Sequence, residues 1–406
     1  MNDDLMHPDK ALCLVLEAAP APSFETVELA QALGRVLARE LASTVDHPPF
    51  DKSSMDGFAY DPENPADLYK VRSVVAAGSA SERAIGRGEC ARIMTGAPLP
   101  QGTKAVQRVE WTESAGTDSS GVELVRFTRP ESVPNVILRG ENLRSGEALL
   151  GPRLLSPQDI GILASSGYAS VEVARRPRVA VLSTGDEVRD AGLPLHGAAV
   201  YDSNGPQLVA QAKASGCEAV SYGIVRDEAG ALEDALGRAL DECDIVIVSG
   251  GVSMGDFDLV PKSLETLGVE RVFHRIAMRP GKPTWFGTRG PKAVFGLPGN
   301  PVSTFVNFEF LARPHLMRRM GLDYEPFVVS AALASSLERR EVDRVEFLPA
   351  RLERGVDGGP ELVRPIDYKN SSMLNALAMA DCLVRMEIGV ARLEAGEIVD
   401  ARLLRP

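Results

Sequence analysis

From residue 177 onward the chain alternates short apolar runs with amphipathic ones, and this alternation constrains the fold more than any single motif. "RVAVLSTG", "AVSYGIV" and "DIVIVSGG" are strand candidates, the last with apolar residues at nearly every position, as expected of a strand buried on both faces. Between them "NGPQLVAQAKASG" and "DEAGALEDALGRALDE" carry helical spacing, the first with Asn204 as its expected cap. "VFHRIAM", "PTWFGT" and "AVFGLPG" add further strands, and "NPVSTFVNFEFLARPHLMRRMG" opens a long helix with Asn300 as cap and Pro301 at its first position. Such an alternation predicts a doubly wound α/β domain with helices on both faces of its sheet. Ligands bind such sheets beyond the carboxyl ends of the strands.

The rest of the chain reads differently. Residues 8–42 predict helices over "LCLVLEAA" and "VELAQALGRVLARELAS", and Pro48 and Pro49 stop any continuation. From there to about residue 144 the text is short β-like runs broken by Gly and Pro, which predicts a small β-rich domain. "LSPQDIGILASSG" returns to helix, with Ser156 as N-cap and Pro157 at its first position. Residues 327–406 alternate again, as a separate small β domain. At 406 residues the chain exceeds one compact core, so several domains are expected.

Bulk properties exclude some functions. A net charge of −12 gives no footprint for nucleic acid. The five cysteines form no CxxC pair and no histidines stand at i,i+4 spacing, so reduced thiols are expected and a zinc site is not. No apolar run approaches the roughly 18 residues a membrane span needs. The start, "MNDDLMHPDK", lacks the regions of a signal peptide, so a cytoplasmic location is expected.

Chemistry gathers at the predicted strand ends. "DIVIVSGGVSMGDFDLV" runs from a strand into glycines and then into Asp256 and Asp258, while "STGDEV" and "IVRDE" place Asp186, Glu187 and Asp227 after two other strands. A glycine loop makes a nest for anions, and carboxylates beside an anion are best explained by a hard cation between them, which suits Mg²⁺. The same acids would also serve as helix first-turn residues. "MRPGKP" supplies Arg279 and Lys282 on one turn, and "GLPGNPVS" a helix start that favours anions. Elsewhere lie Asp51 and Asp56 in "PPFDKSSMDGFAY", Thr95 and Gly96 in "RIMTGAPLP", Arg344 in "RVEF", and Ser371 and Ser372 in "NSSML". On residues alone the expectation stops at a Mg²⁺-assisted phosphate or oxyanion site.

Taken in order, "PPFDKSSMDGFAY", "RIMTGAPLPQG", "STGDEV", "YDSNGPQL", "VSGGVSMGDFDLV", "MRPGKP" and "GLPGNPVS" resemble the molybdopterin molybdenumtransferases, the family of bacterial MoeA and the gephyrin E domain. The resemblance covers residues from about 8 to 406. It implies a homodimer of four-domain subunits: a discontinuous first domain, helical and extended, at 8–45 and 145–176; a β-rich second domain at 46–144; a molybdopterin-binding α/β domain at 177–326; and a small C-terminal β-barrel at 327–406. It also implies insertion of molybdenum from molybdate into adenylylated molybdopterin with release of AMP, assisted by Mg²⁺. Transient contacts with the adenylyltransferase and with recipient molybdoenzymes go with that role.

By the same resemblance Asp227 and Asp258 would hold Mg²⁺ and Glu187 would join that acidic shell. Asp56 and Thr95 would reach the substrate across the dimer interface. Gly250, Gly251, Ser253, Pro298, Pro301, Arg279, Lys282, Ser303, Arg344 and Ser371 would bind substrate phosphate and molybdate. Lys52, Lys104, Asn142 and Arg279 stand where the family commonly carries other residues. A second reading is a catalytically weakened paralogue that binds molybdopterin or serves as a scaffold.

Overall fold

The computed structural model describes residues 5–79, 81–252, 259–323, 328–353 and 361–404. The chain falls into two compact units, one of Thr26–Leu33 with Leu37–Glu172, the other of Met1–Glu25, Gly34–Val36 and Val173–Pro406.

In the first of these, β1 (Gly57–Tyr60), β2 (Tyr69–Val75), β3 (Glu89–Ile93), β4 (Ala105–Arg108), β5 (Thr112–Thr117) and β6 (Glu123–Phe127) form one sheet in the order β4-β1-β3-β2-β6-β5. Only β2 and β3 run parallel. Ala59, Val75, Ala91, Ile93 and Val106 bury one face, and Phe58, Tyr69 and Phe127 cluster elsewhere. The helix Pro157–Ser165 starts as its sequence predicts, with Ser156 and Asp159 in a reciprocal capping box.

The expected helix over "VELAQALGRVLARELAS" does not form. Only a 3₁₀ turn, Leu29–Gln31, is helical there, and Gly34 follows at φ +69°. The backbone instead finds partners far along the chain: Leu37 N donates to Arg153 O at 2.9 Å, Ala38 N to Glu172 O at 3.0 Å, and Leu41–Ala42 pairs with Ala148–Leu150. Tertiary pairing overrides helical spacing here.

The other unit holds the doubly wound sheet. Its strands are β7 (Arg178–Thr184), β8 (Glu218–Val225), β9 (Ile245–Ser249), β10 (Glu270–His274), β11 (Trp285–Arg289) and β12 (Lys292–Leu297), in the order β8-β7-β9-β12-β11-β10. The first four in that order are parallel, and β11 turns antiparallel between β12 and β10. Every residue of β9 is buried, as its continuous apolar text requires. The helix Asn204–Ala214 and the long helical run from Pro301 pack on one face, and Ala229–Glu242 and Val260–Thr266 on the other.

"VFHRIAM" is not one strand. β10 ends at His274, Arg275 takes φ +73°, and Met278–Arg279 then joins a different sheet. That sheet is a closed barrel of β13 (Val328–Leu333), β14 (Val345–Glu353), β15 (Leu362–Pro365), β16 (Cys382–Met386) and β17 (Ile398–Leu403), in ring order β13-β15-β14-β16-β17. Met278 and Arg279 pair in parallel with Val345 and Glu346, so the loop bearing Arg279 is stitched to the barrel. Among the described residues no helix is long and apolar enough to cross a membrane.

Candidate active site

The parallel register of the α/β sheet sets Ser183, Ser249 and Leu297 side by side at the carboxyl ends of β7, β9 and β12. The segments that follow these ends wall a cavity of about 750 Å³, into which Glu187, Asp202, Asn204, Asp227 and Ser372 also project. The glycine loop after β9 passes flush against Thr184. Gly250 stands at φ +95°, where a Cβ would lie 2.7 Å from Thr184 O, and Gly251 at φ +62°, where it would lie 3.0 Å from Thr184 Oγ1. A side chain at Gly250 would collide with backbone, and one at Gly251 would crowd the Thr184 and Val260 side chains in a left-handed conformation that favours glycine.

Asn204 is not the helix cap that its position suggests. It is the first helical residue, and its Nδ2 donates to Ser249 Oγ at 2.8 Å and Gly299 O at 2.7 Å. It thereby ties the helix start to the ends of β9 and β12. Asp202 Oδ1 takes the Gly205 amide instead, at 2.9 Å. Asn204 Oδ1 and Ser183 Oγ are buried on this cavity with no hydrogen-bond partner among the described residues. Buried polar atoms are normally paired, so both invite a polar ligand.

A second cavity, of about 920 Å³, opens between the α/β sheet and the barrel. It shares Pro283, Pro298 and Asn300 with the first. Arg279, Lys282, Ser303, Arg344 and Ser371 all border it. The turn bearing Arg279 and Lys282 is fastened to the long helix, since Gly281, at φ +111°, would place a Cβ only 1.8 Å from Asn307 Nδ2. Thr284 Oγ1 lies 2.7 Å from both Gly281 O and Asn307 Oδ1. Ser371 O accepts the Val302 amide at 3.1 Å, so the barrel segment also meets the start of the long helix.

The expected residues therefore sort into two groups with a common wall. Glu187, Asp227, Gly250, Gly251 and Pro301 border the first cavity, Arg279, Lys282, Ser303, Arg344 and Ser371 the second, and Pro298 both. Ser253 and Asp258 lie outside the described residues. Asp56 and Thr95 belong to the other unit, where Asp56 Oδ1 accepts from the Thr95 amide and hydroxyl at 2.7 Å each. Those two donors hold the Asp56 carboxyl below its ordinary range.

The acids on the first cavity offer oxygen only, the donor type Mg²⁺ takes. Among the described residues, however, no three such groups gather into a metal cluster. Sequence reasoning did not single out Ser183, Asp202, Arg339, Glu341 or Glu346. "YDSNGPQL" carried a signal for Asp202, whereas Arg339, Glu341 and Glu346 reach the second cavity only through barrel pairing.

Three family models match: the MoeA N-terminal region (domain I and II) over residues 6–167, the probable molybdopterin binding domain over 180–318, and the MoeA C-terminal region (domain IV) over 331–404. A molybdopterin molybdenumtransferase of Staphylococcus aureus (strain Mu50) is 33% identical over 92% of this chain and 90% of its own. One from Staphylococcus epidermidis is 32% identical over 93% and 90%. A crystal structure of the molybdopterin biosynthesis MoeA protein from Pyrococcus horikoshii superposes with a TM-score of 0.83 at 32% identity, covering 99% of this chain and 100% of that one. The chain belongs to the molybdopterin molybdenumtransferase family and is a transferase of molybdenum cofactor biosynthesis.

Proposed function

We propose that this protein inserts molybdenum from molybdate into adenylylated molybdopterin and releases AMP. The observation that carries this reading is the pair of cavities with a common wall at Pro298 and Asn300, one lined by a glycine loop and unpaired buried polar atoms, the other by Arg, Lys and Ser. The first suits a large polar ligand with a phosphate link at the strand ends. The second suits a tetrahedral dianion, which takes charge-assisted hydrogen bonds from guanidinium, ammonium and hydroxyl donors. A shared wall lets the two ligands react without release of either.

In this reading Gly250 and Gly251 let backbone amides approach the phosphates, and Asn204 and Ser183 bond the ligand's polar atoms. Lys282 makes no ion pair among the described residues, so its ammonium is available to an incoming oxyanion. Asp227 and Asp258 would hold Mg²⁺, which when bound neutralises charge building up at the phosphoanhydride. Glu187 supports that acidic wall. A homodimer would bring Asp56 and Thr95 of one protomer to the partner's substrate, in the cytoplasm, with transient contacts to the adenylyltransferase and to recipient molybdoenzymes.

The test is AMP release from adenylylated molybdopterin with Mg²⁺ while molybdate is titrated in. Release that rises with molybdate supports the reading, with Asp258→Asn blocking it and Arg344→Ala shifting its molybdate dependence. Tight binding of the pterin nucleotide with no AMP released at any molybdate concentration would overturn it.

A further inference from the structure

Arg279 and Arg344 reach the second cavity from different parts of the fold, one from the connection between β10 and β11 of the α/β sheet and one from the residue before β14 of the barrel. A single oxygen already joins them. Glu341 Oε2 lies 2.9 Å from Arg344 Nη2 and 3.4 Å from Arg279 Nη1. A carboxylate on two guanidinium groups occupies the donors that an external oxyanion would use.

Arg279 has a second carboxylate partner, and the contrast between the two is informative. Glu346 sits 3.6 Å from Arg279 Nε with only 9% of its side chain exposed, whereas the Glu341 side chain is 60% exposed. Glu346 is fixed among buried groups and orients Arg279. Glu341 has only these two arginines as ion-pair partners among the described residues, and an exposed ion pair is weak enough to exchange.

From this geometry, and taking the second cavity as an oxyanion site as proposed above, we infer that Glu341 is an internal competitor for molybdate. It closes over Arg279 and Arg344 when the site is free and swings out when a tetrahedral dianion takes its place. The apparent affinity is then the intrinsic one reduced by the fraction of time the arginines are uncovered. Lys282, which makes no ion pair among the described residues, is the group an incoming dianion can meet before Glu341 leaves.

Calorimetric titration of sodium molybdate into the full-length protein tests this, with Glu341→Gln and Glu341→Ala beside Arg279→Ala and Arg344→Ala. Both Glu341 variants should bind molybdate about two- to fivefold more tightly, the gain that removal of an exposed ion pair allows. The arginine variants should bind it about tenfold or more weakly. A role for Glu341 in merely fixing the arginines gives the opposite sign, with Ala weaker than wild type and Gln near it. If the arginine variants lose affinity while neither Glu341 variant gains it, the competitor is refuted and the oxyanion site stands. If the arginine variants bind molybdate as the wild type does, the site itself is misassigned and the inference falls with it. If no heat is seen for wild type or for either Glu341 variant, the competitor is refuted as well.

Discussion

Asn204 and Ser249, 45 residues apart in the chain, are joined by a hydrogen bond of 2.8 Å from Nδ2 to Oγ, and the same nitrogen reaches Gly299 O at 2.7 Å. One buried amide thus fixes the spacing of a helix start and two strand ends. Asn204→Ala should cost about 1–3 kcal/mol in urea unfolding, the usual loss when buried partners are left unmade. Asn204→Asp should cost more, because a carboxylate would then face the Gly299 carbonyl. Both should also weaken binding of the pterin nucleotide, since Asn204 lines the cavity and its buried Oδ1 has no protein partner among the described residues. Unchanged unfolding in both variants would show that this clamp does not hold the site.

Gly281 and Gly290 both have positive φ but differ in their surroundings, which separates strain from collision. A Cβ at Gly290 meets nothing within 4 Å, and one at Gly281 meets Asn307 Nδ2 at 1.8 Å. Gly290→Ala should cost only the left-handed penalty of about 1–2 kcal/mol and leave the molybdate response alone. Gly281→Ala should cost more than that in the same denaturation series and raise the molybdate concentration needed for AMP release. Equal effects of the two substitutions would rule out the packing of Gly281 on Asn307 as the constraint on that turn.

Thr95 lowers the pKa of Asp56 through two hydrogen bonds, which fixes the sign of a pH effect. The folded carboxyl titrates below its ordinary value near 3.8. A depressed folded pKa adds stability that is present above the unfolded pKa and is lost as pH falls through the folded one. Asp56 is therefore anionic throughout the neutral range. Thr95→Val removes the hydroxyl donor and keeps the amide, so the Asp56 carbon resonance should titrate at a higher pH than in the wild type, moving part of the way back. A midpoint that does not move would show that the hydroxyl bond is not made in solution.

How much of this was legible in the sequence follows from how local each signal was. β9 and its glycine loop were readable because a run of apolar residues has no other comfortable environment, and because Gly250 and Gly251 are required by close approach to Thr184. Ser156 was readable as a cap because capping is settled within a few residues, and Asn300 does hold the N-cap position, though its side chain makes no capping bond there. The stretch from Leu29 to Ala42 was misread because its backbone partners lie at Ala148–Leu150, Arg153 and Glu172, which no window along the chain can see. Asn204 was misread for a related reason, since a cap residue and a bridging residue look alike until the neighbouring strand ends are in place. The carboxylates on Arg279 were invisible because they depend on Met278–Arg279 pairing with the barrel, whereas Glu341 on Arg344 is a local pair three residues apart.

Arg339 offers the most demanding test of how the second cavity is built. Its side chain is 5% exposed and its guanidinium donates to Val390 O and Arg344 O at 2.7 Å each, and to Glu387 O. Nη1 also lies 3.5 Å from Glu346 Oε2, an oxygen with no hydrogen bond among the described residues. Glu346 therefore stands between two guanidinium groups, Arg339 behind it and Arg279 in front. Arg339→Ala would leave three carbonyls without their donor and a buried carboxylate with one partner fewer, which should cost about 3–5 kcal/mol. Arg339→Lys should recover little of that, because one ammonium cannot span carbonyls arranged for a planar fork. Glu346→Gln should cost less in stability, yet it should weaken molybdate binding, since Arg279 loses the charge that orients it. That is opposite in sign to the gain expected of Glu341→Gln. Chemical denaturation and molybdate titration of the three variants, Arg339→Ala, Arg339→Lys and Glu346→Gln, check both sides. A loss below about 1 kcal/mol for Arg339→Ala would mean that its buried contacts contribute no more than an exposed ion pair and do not anchor the site.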